Sequence, residues 1–170
     1  MTYLPMSGGA STVRAPVSPR AGAPEQDPSA GPAFQPDREC PRHSFLELAA
    51  TAEAVPRFRR HARSVLHDWG LAAIAETTEL LASELATNAV QASAGNGTPV
   101  RLLLVAGYHD VLVQVWDASE RMPEQRDSDL DSMHGRGLLM VDILSARWGA
   151  YRSAGIGKVT WCVVEPPRLV

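Results

Sequence analysis

Cysteine is scarce in this chain. Only Cys40 and Cys162 occur, far apart and in no CxxC pattern. That excludes a disulfide framework and a thiolate zinc site, and it fits a reducing cytoplasm. A basic excess is also missing. The formal net charge is −3, so nothing suggests direct binding to nucleic acid. No stretch reaches the roughly 18 apolar residues that a membrane span needs. The opening MTYLPMSGGASTVRAP lacks a basic n-region followed by an apolar core. The expectation is therefore a cytoplasmic protein with no signal peptide and no membrane segment. There is no internal repeat, no HExxH and no Cys/His cluster. AGIGKV (154–159) has a Gly-Lys pair but lacks the Walker spacing and the Ser/Thr after the lysine, so it is not a P-loop. It precedes a strand rather than a helix, and Lys158 reads as a solvated hairpin lysine, with reach to a phosphate as the alternative.

What is present is ordinary globular material. The 170 residues are 45% hydrophobic and 21% charged, enough for one domain with a tail. Eight of the 13 prolines fall within residues 1–42, mixed with Gly, Ala and Ser. Proline removes backbone donors, and such a mix has no apolar period with which to offset ordering entropy. Residues 1–42 are expected to be a disordered tail, and 43–170 the folded domain.

Within 43–170 the periodicity changes repeatedly. Phe45, Leu46 and Leu48 give a short strand signal. Phe58, Ala62, Val65, Leu66 and Trp69 fall at helical spacing, with Arg57, Arg60 and Arg63 on other faces and Gly70 as the stop. A second helix is predicted over 72–93, which is rich in Ala, Leu and Glu and contains neither Gly nor Pro. The Gly95–Pro99 cluster ends it. Strands follow over 100–108 and 110–117 around a turn at Gly107 and His109-Asp110. Val111, Val113 and Val115 make one strand face wholly apolar. Residues 118–134 form a long charged loop, of a length that usually has a function. A helix over 137–145 and strands near 146–152 and 157–164 complete the order. The fold class is α/β (α+β): a two-layer sandwich with a mixed, mostly antiparallel sheet and helices on one face.

Three pieces carry chemistry. Glu84 and Asn88 stand one turn apart, so both project from one helix face. A carboxylate and an amide oxygen are hard donors suited to Mg²⁺, and the carboxylate also suits a general base. Taken alone, the same spacing describes the polar face of any surface helix. Asp117 ends a very apolar strand, where its carboxylate can accept a hydrogen bond from an exocyclic amine. A turn-starting aspartate reads the same way. His134-Gly135-Arg136-Gly137-Leu138 sits at a loop-to-helix junction. Its glycines permit close backbone approach, and the helix start offers N–H groups to phosphate. A flexible loop entering a helix is the plain alternative. His61, among arginines on a helix, reads as a surface histidine. Arg121 and Arg126 belong to the charged loop. Trp116, Trp148 and Trp161 lie on strand patterns and read as core or sheet-face residues.

In this order and on these elements, the pieces resemble the GHKL, or Bergerat-fold, ATPases. More narrowly they resemble the small anti-sigma-factor kinases. ELATNAVQAS (84–93) resembles the family's N-box, WDASERMP (116–123) its first glycine box and GRGLLMVDILSARWG (135–149) its second. ARSVLHDWGL (62–71) resembles its first helix and GKVTW (157–161) its final strand. The resemblance covers about residues 44–164. It implies that Asn88 holds Mg²⁺, that Glu84 orients or deprotonates an attacking hydroxyl, and that Asp117 bonds the adenine amine. It also implies that Gly135 and Gly137 shape a lid and that the backbone of Arg136–Leu138 meets the phosphates. Ser119 stands where many relatives have glycine. Thr160 corresponds to a polar residue beneath the adenine. The family more often reads GKTVW, and the swap turns Thr160 to the other sheet face.

The implied function is a Mg-ATP-dependent serine/threonine kinase that phosphorylates an anti-anti-sigma partner of the STAS type and also sequesters a sigma factor. A homodimer is implied by the same resemblance. A second expectation is a regulatory module that binds ATP and a partner without transferring phosphate. A sensor histidine kinase would need a dimerising helix pair ahead of the ATP domain, which the Pro-rich tail does not supply.

Overall fold

The computed structural model describes residues 42–123, 136–153, 155 and 157–166. The expected tail (1–41) and most of the charged loop (124–135, which includes Arg126, His134 and Gly135) lie outside the described residues. The elements run β1 (His43–Leu48), α1 (Ala54–Asp68), α2 (Ala72–Ser93), β2 (Val100–Ala106), β3 (Val111–Asp117), α3 (Arg136–Leu144), β4 (Arg147–Ser153) and β5 (Gly157–Val164).

Helix α1 forms because Ala54, Phe58, Ala62 and Leu66 recur every fourth residue and all four are buried. Burying Phe58 completely contributes about 2–3 kcal/mol by area, as an upper bound. The helix stops at Gly70 with the bonds of a Schellman motif: Leu71 N–H to Leu66 O at 2.9 Å and Gly70 N–H to His67 O at 3.0 Å. The chain then reverses into α2. This helix buries Ile74, Leu81, Ala82, Leu85, Ala86 and Ala89. Three alanines among them allow close packing on both sides, against α1 and against the sheet.

A buried carboxylate clamps the two helices together. Glu79 of α2 accepts from Arg59 Nε at 2.5 Å, from Arg63 Nε at 2.6 Å and from Arg63 Nη2 at 2.8 Å. Its side chain is 5% exposed, whereas the arginines are 58% and 67% exposed. Burial pushes the Glu79 carboxyl up. The hydrogen bonds and charges of Arg59 and Arg63 override this and leave it below the ordinary range. Arg63 is thus a clamp residue rather than a free polar face.

The five strands lie in the order β1-β2-β3-β5-β4, and each neighbouring pair is antiparallel. The mixed sheet expected from sequence is therefore antiparallel throughout the described residues. Alternation sorts the side chains. Val100, Leu102, Leu104, Val111, Val113, Val115, Cys162 and Val164 join the core shared with α1, α2 and Val141 of α3. The helices thus lie on one face, and the architecture is a two-layer α/β sandwich. Leu112, Trp161 and Val163 form a smaller cluster on the opposite face, with Val105 and Tyr151 packed on it. Trp148 packs in the main core and donates its indole N–H to Asp142 Oδ1 at 2.8 Å. The turn between β2 and β3 closes with Gly107 N–H to Asp110 O at 2.9 Å.

One expectation fails in this frame. His61 is half-buried, not a free surface residue, and its Nε2 lies 2.9 Å from Ser44 Oγ on β1. Burial holds its pKa below the ordinary value, because desolvation disfavours the imidazolium.

Candidate nucleotide-binding site

Helix α2 carries Glu84 and Asn88 on one face, both half-buried. What they meet is the start of α3. A methyl group built on Gly137 would stand 2.6 Å from Glu84 Oε2, 3.6 Å from Glu84 Cδ and 3.9 Å from Asn88 Nδ2. Gly137 is buried, and only a residue without Cβ lets α3 begin so close to the carboxylate. Two motifs some fifty positions apart thereby become one wall. The first N–H groups of any helix have no intrahelical partner, so the start of α3 sets backbone amides beside two oxygen donors, an arrangement suited to an anion. Burial raises the Glu84 carboxyl above the ordinary range. That moves it toward the neutral pH at which a general base works best.

The other end of the site is built on β3. Asp117 is buried, with 3% exposure, at the last position of the strand. Its Oδ1 accepts from Ser119 N–H at 2.8 Å and from Lys158 Nζ at 2.7 Å. Burial pushes the carboxyl up, against the hydrogen bond and charge of Lys158 and the Ser119 amide, and the net direction is upward. Ser119 Oγ in turn accepts from Arg121 N–H at 3.1 Å. The Ser119 side chain thus shapes the turn after β3. Ala118 N–H donates to Ser93 Oγ at 3.2 Å, which ties this turn to the C-terminal end of α2. Nine residues of helix separate Glu84 from Ser93, a rise of about 13 Å. That span separates the Glu84, Asn88 and α3 end of the site from the Asp117 end.

Lys158 corrects a further expectation. It is not a solvated hairpin lysine: its side chain is 9% exposed and paired with Asp117. The register of β3 and β5 sets Asp117 opposite Lys158 and Val115 opposite Thr160. Thr160 is buried on the helix-facing side, between Lys158 and the core residue Cys162. It therefore shares the face of Asp117, contrary to the expectation that the swapped Val-Thr order turns it to the other side of the sheet. Gly157 precedes them at φ 112°. A Cβ there would run into the backbone of Asp117 and Ala118, so β5 can approach the end of β3 only because this residue is glycine. A cleft of about 470 Å³ opens beside this junction, lined by Thr98, Arg101, Ala118, Glu120, Gly155 and Gly157. Glu84 and Asn88 are not among these lining residues.

The structure thus brings Glu84, Asn88 and Gly137 into one wall, flanked by the backbone of Arg136 and by the half-buried Leu138 on the first turn of α3. It gathers Asp117, Ser119 and Thr160 at the end of β3 and β5. Gly135 lies outside the described residues. Three residues that sequence reasoning did not assign join the site: Ser93, Gly157 and Lys158. The GK pair before the last strand was the signal for the latter two.

An oxygen-donor pair on α2, the start of α3 beside it and a buried carboxylate at the end of β3 are features that an ATP-binding α/β domain would use. The chain belongs to the histidine kinase-like ATPase domain family, which matches residues 48–163, well over half its length. It is accordingly an ATP-binding domain of the GHKL type. Among curated proteins none matches.

Proposed function

We propose that the protein is a Mg-ATP-dependent serine/threonine kinase of the anti-sigma-factor type. Its substrate is a serine or threonine of a small anti-anti-sigma partner of the STAS type, and the same surface holds a sigma factor. The observation that carries this reading is the Glu84 carboxylate. It is half-buried, raised toward neutrality by desolvation, and packed on the helix start that would meet the terminal phosphates. In the transfer, the acceptor hydroxyl oxygen forms a bond to the γ-phosphorus as the bond to the β-bridging oxygen breaks. ADP leaves, and the hydroxyl proton passes to Glu84.

Among the described residues no cluster of three or more His, Cys, Asp or Glu forms a protein-only metal cage. That fits Mg²⁺, which takes one or two protein oxygens and completes its shell with phosphates and water. Asn88 would hold it, and it would supply neutralising charge to the phosphates. Asp117 would accept from the adenine amine, with Ser119 and Thr160 shaping the base end. Leu139, Ile143 and Leu144 of α3 are 43%, 67% and 41% exposed. They give a partner protein, or a second copy in a homodimer, apolar surface to cover next to the phosphate end. Among the described residues no helix is long and apolar enough to cross a membrane.

The test is Glu84→Ala. Incubation with labelled ATP and candidate STAS-type partners is expected to give phosphoserine or phosphothreonine with the native protein and none with the variant. Calorimetry is expected to show Mg-ATP binding in both. Equal phosphotransfer by the variant overturns the role of Glu84. Phosphotransfer by neither, with binding and partner control intact in both, makes the protein a regulatory ATP-binding module instead.

A further inference from the structure

Lys158 and Asp117 form a buried ion pair 41 positions apart in sequence, with Nζ 2.7 Å from Oδ1 and the side chains 9% and 3% exposed. Lysine is almost never buried to this degree without a reason. Stability is a poor one. Desolvating two ions is costly, and apolar residues of similar volume in their place are often neutral or stabilising. The geometry offers another reason. Oδ1 is fully engaged by Lys158 Nζ and by Ser119 N–H at 2.8 Å. The two hydrogen bonds that Asp117 accepts from described residues, those of Lys158 and Ser119, both go to Oδ1. Gly157 presses the backbone of β5 onto that of Asp117 and Ala118, so the lysine and the carboxylate meet in one fixed register. The carboxylate thus has one oxygen locked and one to offer.

We infer that Lys158 is a positioning residue that sets base selectivity: by fixing Oδ1 of Asp117 it leaves Oδ2 as a lone acceptor for an exocyclic amine. The inference rests on the reading of Asp117 as the base contact. An ionised carboxylate accepts hydrogen bonds and donates none. It suits the 6-amino group of adenine and opposes the 6-carbonyl of guanine, where two acceptors would face each other unpaired. Without the lysine, the buried carboxyl loses its compensating charge and is driven to its protonated form. A carboxylic acid both donates and accepts, so it serves a carbonyl as well as an amine. Selectivity then collapses even where the fold survives.

The experiment uses the full chain and reads the affinities of Mg-ATP and Mg-GTP by calorimetry. The native protein is expected to prefer ATP by at least tenfold. Lys158→Met, apolar and of similar length, is expected to lose most of that preference, while Lys158→Arg, which keeps a charged donor, retains part of it. In an Asp117→Asn background the same Lys158→Met change is expected to leave the ATP/GTP ratio unmoved, since the lysine acts through the carboxylate. A purely structural lysine would lower both affinities together and leave their ratio alone, which overturns the inference. So does a native protein that binds ATP and GTP equally. Lys158→Gln carries the same comparison if Lys158→Met does not melt cooperatively. A native protein that binds neither nucleotide contradicts the ATP reading itself. Selective ATP binding that survives in Lys158→Met removes only the role given to the lysine.

Discussion

Gly137→Ala separates the stability of this domain from the geometry of its site. The added Cβ would stand 2.6 Å from Glu84 Oε2, whereas ordinary contact begins at 3.4 Å, so the carboxylate must withdraw by about 0.8 Å. The atom in the way is the far end of a flexible side chain, not backbone. Forcing Glu84 off its rotamer costs about 0.5–1.5 kcal/mol. Alanine gains up to about 1 kcal/mol over glycine in a helix. The two effects nearly cancel, and melting is expected to move by no more than about 3 °C. On the role proposed for Glu84, activity has no such offset: a displacement near 1 Å at a group taking part in the reaction costs about 100-fold. Paired measurements are required: thermal unfolding by circular dichroism, and phosphotransfer to a STAS-type partner at saturating Mg-ATP. The expected result is a native-like melt with phosphotransfer reduced about 100-fold. Native activity in a normally folded Gly137→Ala would refute the claim that the placement of Glu84 is demanding. A fall in melting temperature of ten degrees or more would show that the glycine serves packing instead.

Two further expectations concern the core. Glu79→Gln weakens the clamp between α1 and α2. The arginines are mostly exposed and are not stranded by the change, so the cost is only about 1 kcal/mol at neutral pH. Because the folded pKa of Glu79 lies below its ordinary 4.5, its contribution is full above that value and fades as pH falls through the folded pKa. Denaturant midpoints of the two proteins should therefore differ at pH 7 and converge in acid; a gap that widens in acid contradicts this sign. Phe58→Ala empties a site with no solvent exposure. It should cost about 3–5 kcal/mol, seen as a lower urea midpoint at unchanged slope.

Much of this protein was legible in its sequence because much of it is local. The bounds of α2 follow from a run without Gly or Pro, and Glu84 and Asn88 share a face because four residues nearly complete a helical turn. The apolar face of β3 follows from alternation. These are short-range regularities, and one strand of text carries them. The family resemblance lined up Asp117 and the GRG junction with the N-box as well, though it could not say what touches what.

The tertiary structure decided the contacts. Nothing near Gly137 in sequence announces that its missing Cβ makes room for Glu84, since that depends on where α3 docks on α2. Nothing near His61 announces Ser44. The misreading of Lys158 has the same origin. A Gly-Lys pair in a hairpin is solvated by default, and only the antiparallel register of β3 and β5 turns that lysine inward onto Asp117. Sequence periodicity fixes which way a side chain faces along its own element. Which charge it meets there is set by pairing between elements, and that pairing is a property of the whole packed sheet.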